Sequence, residues 1–210
     1  MGLPVPERQS QDLRSIVAFD FDGTLTTRDS FTAFLAWRAG PIRYALGLLR
    51  LVPELARYAF LHDRGRLKAA AVREFLSGLT PRTLGEAAEA FAAAKITTLL
   101  RPDALTTWRR WKDTGAQMLI VTASPEAIVE PFARRLGADS LIGTRLKIGD
   151  SSRITGPLDG ENCRGPEKVR RITAQFGTQV LAAAYGDTDG DREMLAMASV
   201  RGYRVFKGKP

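Results

Sequence analysis

Apolar residues in this chain gather into three short unbroken runs, separated by longer stretches whose apolar positions recur every three or four residues. The first run, Ile16-Val17-Ala18-Phe19, passes straight into Asp20-Phe21-Asp22-Gly23-Thr24. A second, Gln117 to Val121, ends in Thr122-Ala123-Ser124-Pro125-Glu126, and a third, Gln179 to Tyr185, ends in Gly186-Asp187-Thr188-Asp189-Gly190-Asp191. Runs without polar alternation predict strands buried on both faces, as in a parallel sheet. Gly23 predicts that the backbone turns directly after Asp22, so that the Asp20 and Asp22 carboxylates converge. A strand–turn–strand pattern over Leu141 to Leu158, with its turn at Gly149, predicts a hairpin beside the main sheet. A short last strand is expected from Val200 to Phe206.

The stretches between predict helices. Asp29 or Ser30 is a natural N-cap for a helix carrying Phe31, Phe34 and Leu35 and closed by Gly40-Pro41. A second helix runs from Ile42 to about Val52, where Pro53 is expected to interrupt or kink it before Glu54 to His62 resume. Gly65 precedes a third helix ending near Gly78, and Thr80-Pro81 opens a fourth that reaches about Leu100. These four helices interrupt the strand pattern and read as an inserted cap. Further helices follow Pro102, Pro125 and Pro166, and a last one contains Met194, Leu195 and Met197. The expected fold class is α/β: a Rossmann-like parallel sheet with helices on both faces, plus an inserted all-helical cap. The expected boundaries are a flexible tail over 1–12, a catalytic core over 13–27 and 101–210, and the cap over 28–100.

Composition narrows this picture. With 210 residues, 44% of them hydrophobic, the chain can bury a sizeable core. A lone cysteine, Cys163, excludes an internal disulfide and fits a reducing compartment. The N-terminus has no signal-peptide pattern, and no run of about 18 uncharged apolar residues is long enough to span a bilayer. A cytoplasmic protein is expected, with peripheral contact at the inner membrane as a further expectation. The net charge of +8 favours acidic partners: phosphorylated ligands, nucleic acid or an anionic membrane. No nucleic-acid motif is present, and oligomeric state leaves no trace in the sequence.

The chemistry lies at the strand ends. A parallel sheet brings the three polar tips to one edge, where open α/β sheets bind ligands. Carboxylates so close repel unless a cation or a shared proton offsets them. Oxygen donors without a Cys/His cluster select Mg2+, which also binds phosphate oxygens. The single histidine, His62, falls in the helical block and reads as a surface or packing residue, and Trp108 and Trp111 read as core.

In order along the chain, Asp20-Phe-Asp-Gly-Thr-Leu-Thr26, the strand ending at Thr122, Lys168 and Gly-Asp-Thr-Asp-Gly-Asp191 resemble the four motifs of the haloacid dehalogenase superfamily. The helical insertion after the first motif resembles that of its phosphoserine phosphatase-like branch. The resemblance implies that Asp20 is the nucleophile, Asp22 the general acid and base, Thr122 a phosphoryl-binding hydroxyl and Lys168 the cation that holds Asp20 and phosphate. It implies Mg2+ held by Asp20, by the backbone carbonyl of Asp22, by Asp187 and, directly or through water, by Asp191. Gly23, Thr24 and Ser124 are expected on the substrate side, with Ser124 an alternative to Thr122 for the phosphate hydroxyl. Asp189 is read as a helix cap rather than a ligand. Arg164 and Arg170 are read as solvated charges, and Cys163 as packing.

Thr122-Ala-Ser-Pro-Glu126 and Asn162-Cys-Arg-Gly-Pro-Glu-Lys168 are similar to a bacterial subgroup that includes the type C phosphatidylglycerophosphatase. That implies a phosphatase for a phosphorylated small molecule or a lipid phosphate, with phosphoserine as the alternative. Two other classes stay open on the sequence. A phospho-receiver domain uses strand-tip aspartates without turnover, and a basic protein can bind nucleic acid with its aspartates idle. Arg43, Arg50, Arg57 and Arg64 recur every seven residues, which on one unbroken helix gives a stripe drifting only about 20° per step. Apolar residues between them predict a segment able to rest on an anionic bilayer.

Overall fold

The computed structural model describes residues 15–210; the tail expected over 1–12 lies outside them. In chain order the elements are β1 (Ile16–Phe19), α1 (Ser30–Ala39), α2 (Pro41–Leu61), α3 (Arg64–Leu76), α4 (Pro81–Leu99), α5 (Pro102–Asp113), β2 (Gln117–Pro125), α6 (Glu126–Leu136), β3 (Ser140–Thr144), β4 (Leu146–Ile148), β5 (Ile154–Leu158), α7 (Pro166–Phe176), β6 (Leu181–Gly186), α8 (Arg192–Ala196) and β7 (Ala198–Tyr203).

Five strands pair in the order β3-β2-β1-β6-β7, and every pairing is parallel. Register sets Phe19 beside Ile120 on one side and Tyr185 on the other, so the residues that follow all emerge at one edge. The continuous apolar runs are explained by burial on both sides. On one face Phe19, Met118 and Ile120 pack with Trp108 of α5 and Phe132 of α6; on the other Ala18, Leu119 and Val121 pack with Ile172 of α7 and Met194 of α8. Phe19 stacks on Tyr185 at 4.4 Å between ring centroids, and Trp108 lies tilted against it at 5.1 Å.

The chain leaves this layer after β1 and returns at α5. The two connections are neighbours: Thr27 N–H donates to the Leu99 carbonyl and Arg101 N–H to the Leu25 carbonyl, each at 2.8 Å. The helices between are capped as their sequence suggests, with Asp29 accepting from Thr32 N–H at 2.6 Å and Thr80 from Thr83 N–H at 3.1 Å. Phe91 of α4 meets Phe132 of α6 edge-on at 5.8 Å, and Glu89 pairs with Arg134 and Arg135. One apolar core therefore runs from the sheet face through α6 into the inserted helices.

Three expectations need correcting. Pro53 does not interrupt α2, which is continuous over its 21 residues. Proline removes one helical hydrogen bond, that to the Leu49 carbonyl, and both residues face solvent, which can solvate the freed carbonyl. Because α2 ends at Leu61 and Arg64 opens α3, the arginine stripe has three members rather than four. A fifth sheet strand, β3, precedes the hairpin of β4 and β5. That hairpin reaches away from the sheet to the end of α3, where Gly78 N–H donates to the Ile154 carbonyl and Ile154 N–H to the Leu79 carbonyl, both at 2.9 Å.

Candidate active site

Asp20 stands where β1 ends, its N–H donating to the Tyr185 carbonyl of β6 at 2.8 Å. The chain then makes one wide helical turn, Phe21–Leu25, closed by Thr26 N–H on the Phe21 carbonyl at 2.9 Å. Gly23 permits that turn. Its φ of +82° suits glycine, and a Cβ there would sit 2.2 Å from Asp187 Oδ2. The Arg101 guanidinium fastens the turn from below, donating to the Gly23 and Thr26 carbonyls at 3.2 and 3.1 Å.

Lys168 reaches in from the first turn of α7. Its ammonium has three donors and uses all of them, on Asp20 Oδ1 at 2.5 Å, the Val121 carbonyl at 2.6 Å and Asp191 Oδ1 at 2.7 Å. Burial opposes its charge, but the two carboxylates outweigh burial and hold its pKa above the ordinary lysine value. Asp20 shows the opposite balance. Burial raises it to about 8, against the lowering effect of Lys168. Burial likewise raises Asp22, assisted by the charge of Asp29. Asp191 is lowered because, against burial, Lys168 and the Thr188 N–H and hydroxyl all favour its anion.

Asp22 faces a different set of partners. Ser30 N–H, at the start of α1, donates to its Oδ1 at 2.6 Å, and Ser124 Oγ donates to its Oδ2 at 2.6 Å. Thr122 Oγ1 lies farther from that oxygen, at 3.4 Å, and accepts from Ser124 N–H at 3.0 Å. Ser124 belongs to the wall of the cleft described below; Thr122 is fully buried outside it. Thr24 is corrected more plainly. It is buried, and its hydroxyl donates to Asp187 Oδ1 at 3.2 Å, so it positions a carboxylate rather than facing a substrate. Asp189 is exposed and pairs with Arg192 at 3.0 Å, away from the cluster.

One oxygen from each of Asp20, Asp187 and Asp191 lies within 4.8 Å of the others. The Asp22 carboxylate is outside this trio, which leaves its backbone carbonyl as the group expected to face a cation. An all-oxygen donor set of this size fits a hard divalent ion. The charges agree, since the single ammonium of Lys168 cannot offset three clustered carboxylates.

Above the carboxylates lies a cleft of about 610 Å³ whose far wall belongs to the inserted helices. Phe31 and Leu35 of α1, Leu51 and Leu55 of α2, and Leu67 and Phe75 of α3 make that wall predominantly apolar. Three polar residues, Lys68, Asn162 and Arg164, line the cleft in roles the sequence did not assign to them. Lys68 of α3 reaches across to donate to the Ala123 carbonyl and to Asn162 Oδ1, and burial lowers its pKa to about 8. Arg164 lines the cleft and donates to Thr188 Oγ1 at 3.2 Å, so it is not the solvated charge its position suggested. The place of Asn162 and Arg164 just before Lys168 was a usable signal; Lys68 has none, because its role depends on how α3 folds back. Arg170 is exposed and ion-paired with Glu167, His62 caps the exposed end of α2, and Cys163 is packed away, its thiol raised to about 11 by burial.

Residues 17–196 match the family model for haloacid dehalogenase-like hydrolases. The chain belongs to the haloacid dehalogenase-like hydrolase family. The family assignment leaves no place for the receiver-domain reading. Within the family the chain is 61% identical over 196 residues to the protein CicA of Caulobacter vibrioides, covering 93% of this chain and 88% of that one. A Mycobacterium tuberculosis protein named as a probable phosphatase is 29% identical over 212 residues, covering 87% of this chain and 66% of that one. Among solved structures, a Bordetella pertussis protein of unknown function superposes with a TM-score of 0.74 at 25% identity, over 87% of this chain and 86% of that one. A phosphoserine phosphatase in its apo form superposes with a TM-score of 0.59 at 19% identity, over 90% of this chain and 86% of that one, a likeness of fold.

Proposed function

We propose that this haloacid dehalogenase-like hydrolase is a Mg2+-dependent phosphomonoesterase working through an aspartyl-phosphate on Asp20, and that its substrate carries an apolar tail. One observation carries the reading: the carboxylate and lysine cluster forms the floor of a cleft whose opposite wall is built from leucine and phenylalanine. The floor suits a phosphate group and the wall does not suit a small zwitterion. A lipid phosphate such as phosphatidylglycerophosphate fits both. Phosphoserine is the second reading, favoured by Arg64 and Arg164 in the wall.

In the first step an Asp20 oxygen attacks phosphorus while the bond from phosphorus to the ester oxygen breaks. Asp22, within hydrogen-bonding reach of Ser124 and Ser30, supplies the proton that the departing oxygen needs. In the second step water attacks the phosphorus of the acyl phosphate, Asp22 takes its proton and the Asp20 carboxylate is released. Splitting one displacement into two through a carboxylate nucleophile lowers each barrier. Lys168 holds Asp20 in place and offsets charge on the phosphoryl oxygens, with the Ser124 hydroxyl as a donor to the same group and Thr122, buried behind it, positioning Ser124 through the Ser124 N–H. Asp20, the Asp22 carbonyl, Asp187 and Asp191 would hold Mg2+, which supplies Lewis-acid charge stabilisation when bound.

The test compares p-nitrophenyl phosphate, phosphoserine and lysophosphatidic acids of increasing chain length, with wild type and Asp20→Asn. Turnover that requires Mg2+, vanishes in Asp20→Asn and rises in kcat/KM with tail length is expected. Retention of more than a few per cent of activity in Asp20→Asn would overturn the nucleophile; a clear preference for phosphoserine would overturn the tail alone.

A further inference from the structure

Helix α2 buries only Gly47 and Leu51, although it is rich in large apolar residues. Ile42 is 77% exposed, Leu49 67% and Phe60 84%. At about 100° per residue these three, with Pro53 and Ala56, share roughly 60° of arc on the outward side of the helix. Arg43, Arg50 and Arg57 run along one flank. Arg43 and Arg50 share Glu74 of α3, and Arg57 shares Glu54, the one acidic residue of the helix, with Arg66, so four arginines meet two carboxylates and the edge stays net basic. The other flank holds Leu48 and Leu55, both half-exposed, and both also line the cleft. The apolar face is therefore continuous with the apolar wall of the cleft, and a basic edge borders it.

We propose that the outward face of α2 docks on an anionic phospholipid surface, the helix lying in the interfacial plane. Apolar residues on one side with arginines along the edge form the pattern that sinks shallowly into a bilayer and pairs with its headgroups. Charge decides between a membrane and a second copy of this chain as the occupant. Two copies each carrying +8 repel, whereas an anionic surface attracts both the arginine edge and the molecule as a whole. No helix among the described residues is long and apolar enough to cross a membrane, so the contact is with one face only. Docking here does not depend on the hydrolytic reading; it places the mouth of the cleft beside the lipid.

Co-sedimentation of the full chain with phosphatidylglycerol/phosphatidylcholine vesicles and with pure phosphatidylcholine vesicles tests this without substrate or metal. Binding to the anionic vesicles, released by raised salt, is expected. Ile42→Glu/Leu49→Glu/Phe60→Glu should lower partitioning at least tenfold while leaving turnover of soluble p-nitrophenyl phosphate unchanged, since none of the three lines the cleft. Should that variant fail to fold, Leu49→Cys serves instead. Cys163 is fully buried, so an environment-sensitive fluorophore attaches at position 49 and should shift to the blue on adding anionic vesicles. The proposal is overturned if the protein stays in the supernatant, if both vesicle types bind it equally, if the fluorophore does not respond, or if sedimentation velocity shows a dimer that the triple substitution abolishes.

Discussion

Replacing Lys168 with methionine tests the electrostatic core of the site. The side chains are similar in length, so little volume changes, but three hydrogen bonds of 2.5–2.7 Å disappear together. Asp20 and Asp191 are then left as buried carboxylates without their shared cation. Removing one partner of a buried ion pair typically costs about 3–5 kcal/mol. For a chain of this size each kcal/mol lowers the melting temperature by about 2–4 °C, which gives a fall of roughly 6–20 °C. Calorimetry in chelator keeps bound metal from masking the loss. The sharper measurement adds Asp20→Asn in both backgrounds. In the Lys168→Met protein, where no cation offsets the burial of Asp20, it should restore much of the lost stability; with Lys168 present, burial already raises Asp20 to about 8, and the gain should be smaller. Non-additivity of at least about 1 kcal/mol is therefore expected. A melting temperature within about 2 °C of wild type for Lys168→Met, or additive effects of the two substitutions, would refute the balance argued for this site.

Asp22→Asn should divide the half-reactions: the first step with p-nitrophenyl phosphate, whose leaving group needs little protonation, suffers least, while phosphoenzyme accumulates because water activation loses about 10²–10⁴-fold; rapid-quench trapping checks this. Mg2+ at about 100 times its Kd should stabilise the protein by roughly 2.7 kcal/mol, seen as a rise in melting temperature that Asp187→Asn weakens. Gly23→Ala places a methyl 2.2 Å from Asp187 Oδ2 at a φ of +82°, so it should cost at least about 1–2 kcal/mol in backbone strain and lower Mg2+ affinity, read from the metal dependence of turnover.

The strand tips were legible because each is a local pattern: an apolar run, then acid or hydroxyl, then glycine or proline. Asp20, Asp22 and Asp191 could be brought together from such patterns and the parallel-sheet rule, whereas Lys168, on a helix, was placed there only by the family resemblance. β3 was missed because Ser140, Gly143 and Thr144 make a poor strand signature, and its stability comes from pairing with β2 rather than from its own residues. Thr24 was misplaced for a related reason: a turn residue next to two strand-tip carboxylates has the same sequence whether its hydroxyl faces substrate or another aspartate. Lys68 and the apolar wall were invisible because they depend on how helices cross. Pro53 was over-weighted, since its cost depends on whether water reaches the carbonyl it frees.

The side-by-side connections at Thr26 and Leu100 give the inserted helices the topology of a detachable module. Packing denies them that independence. Excising 27–99 would leave every strand of the sheet in place and its two cut ends already adjacent, yet it would strip Phe91 from Phe132 and uncover Ile154, which is only 1% exposed. A transplanted cap from another family member would have to match α6 and the β4–β5 hairpin as well as the short neck. Exchange of substrate range by swapping this segment is thus constrained at two seams remote from the chemistry, and successful chimeras should be those that carry the hairpin along with the helices.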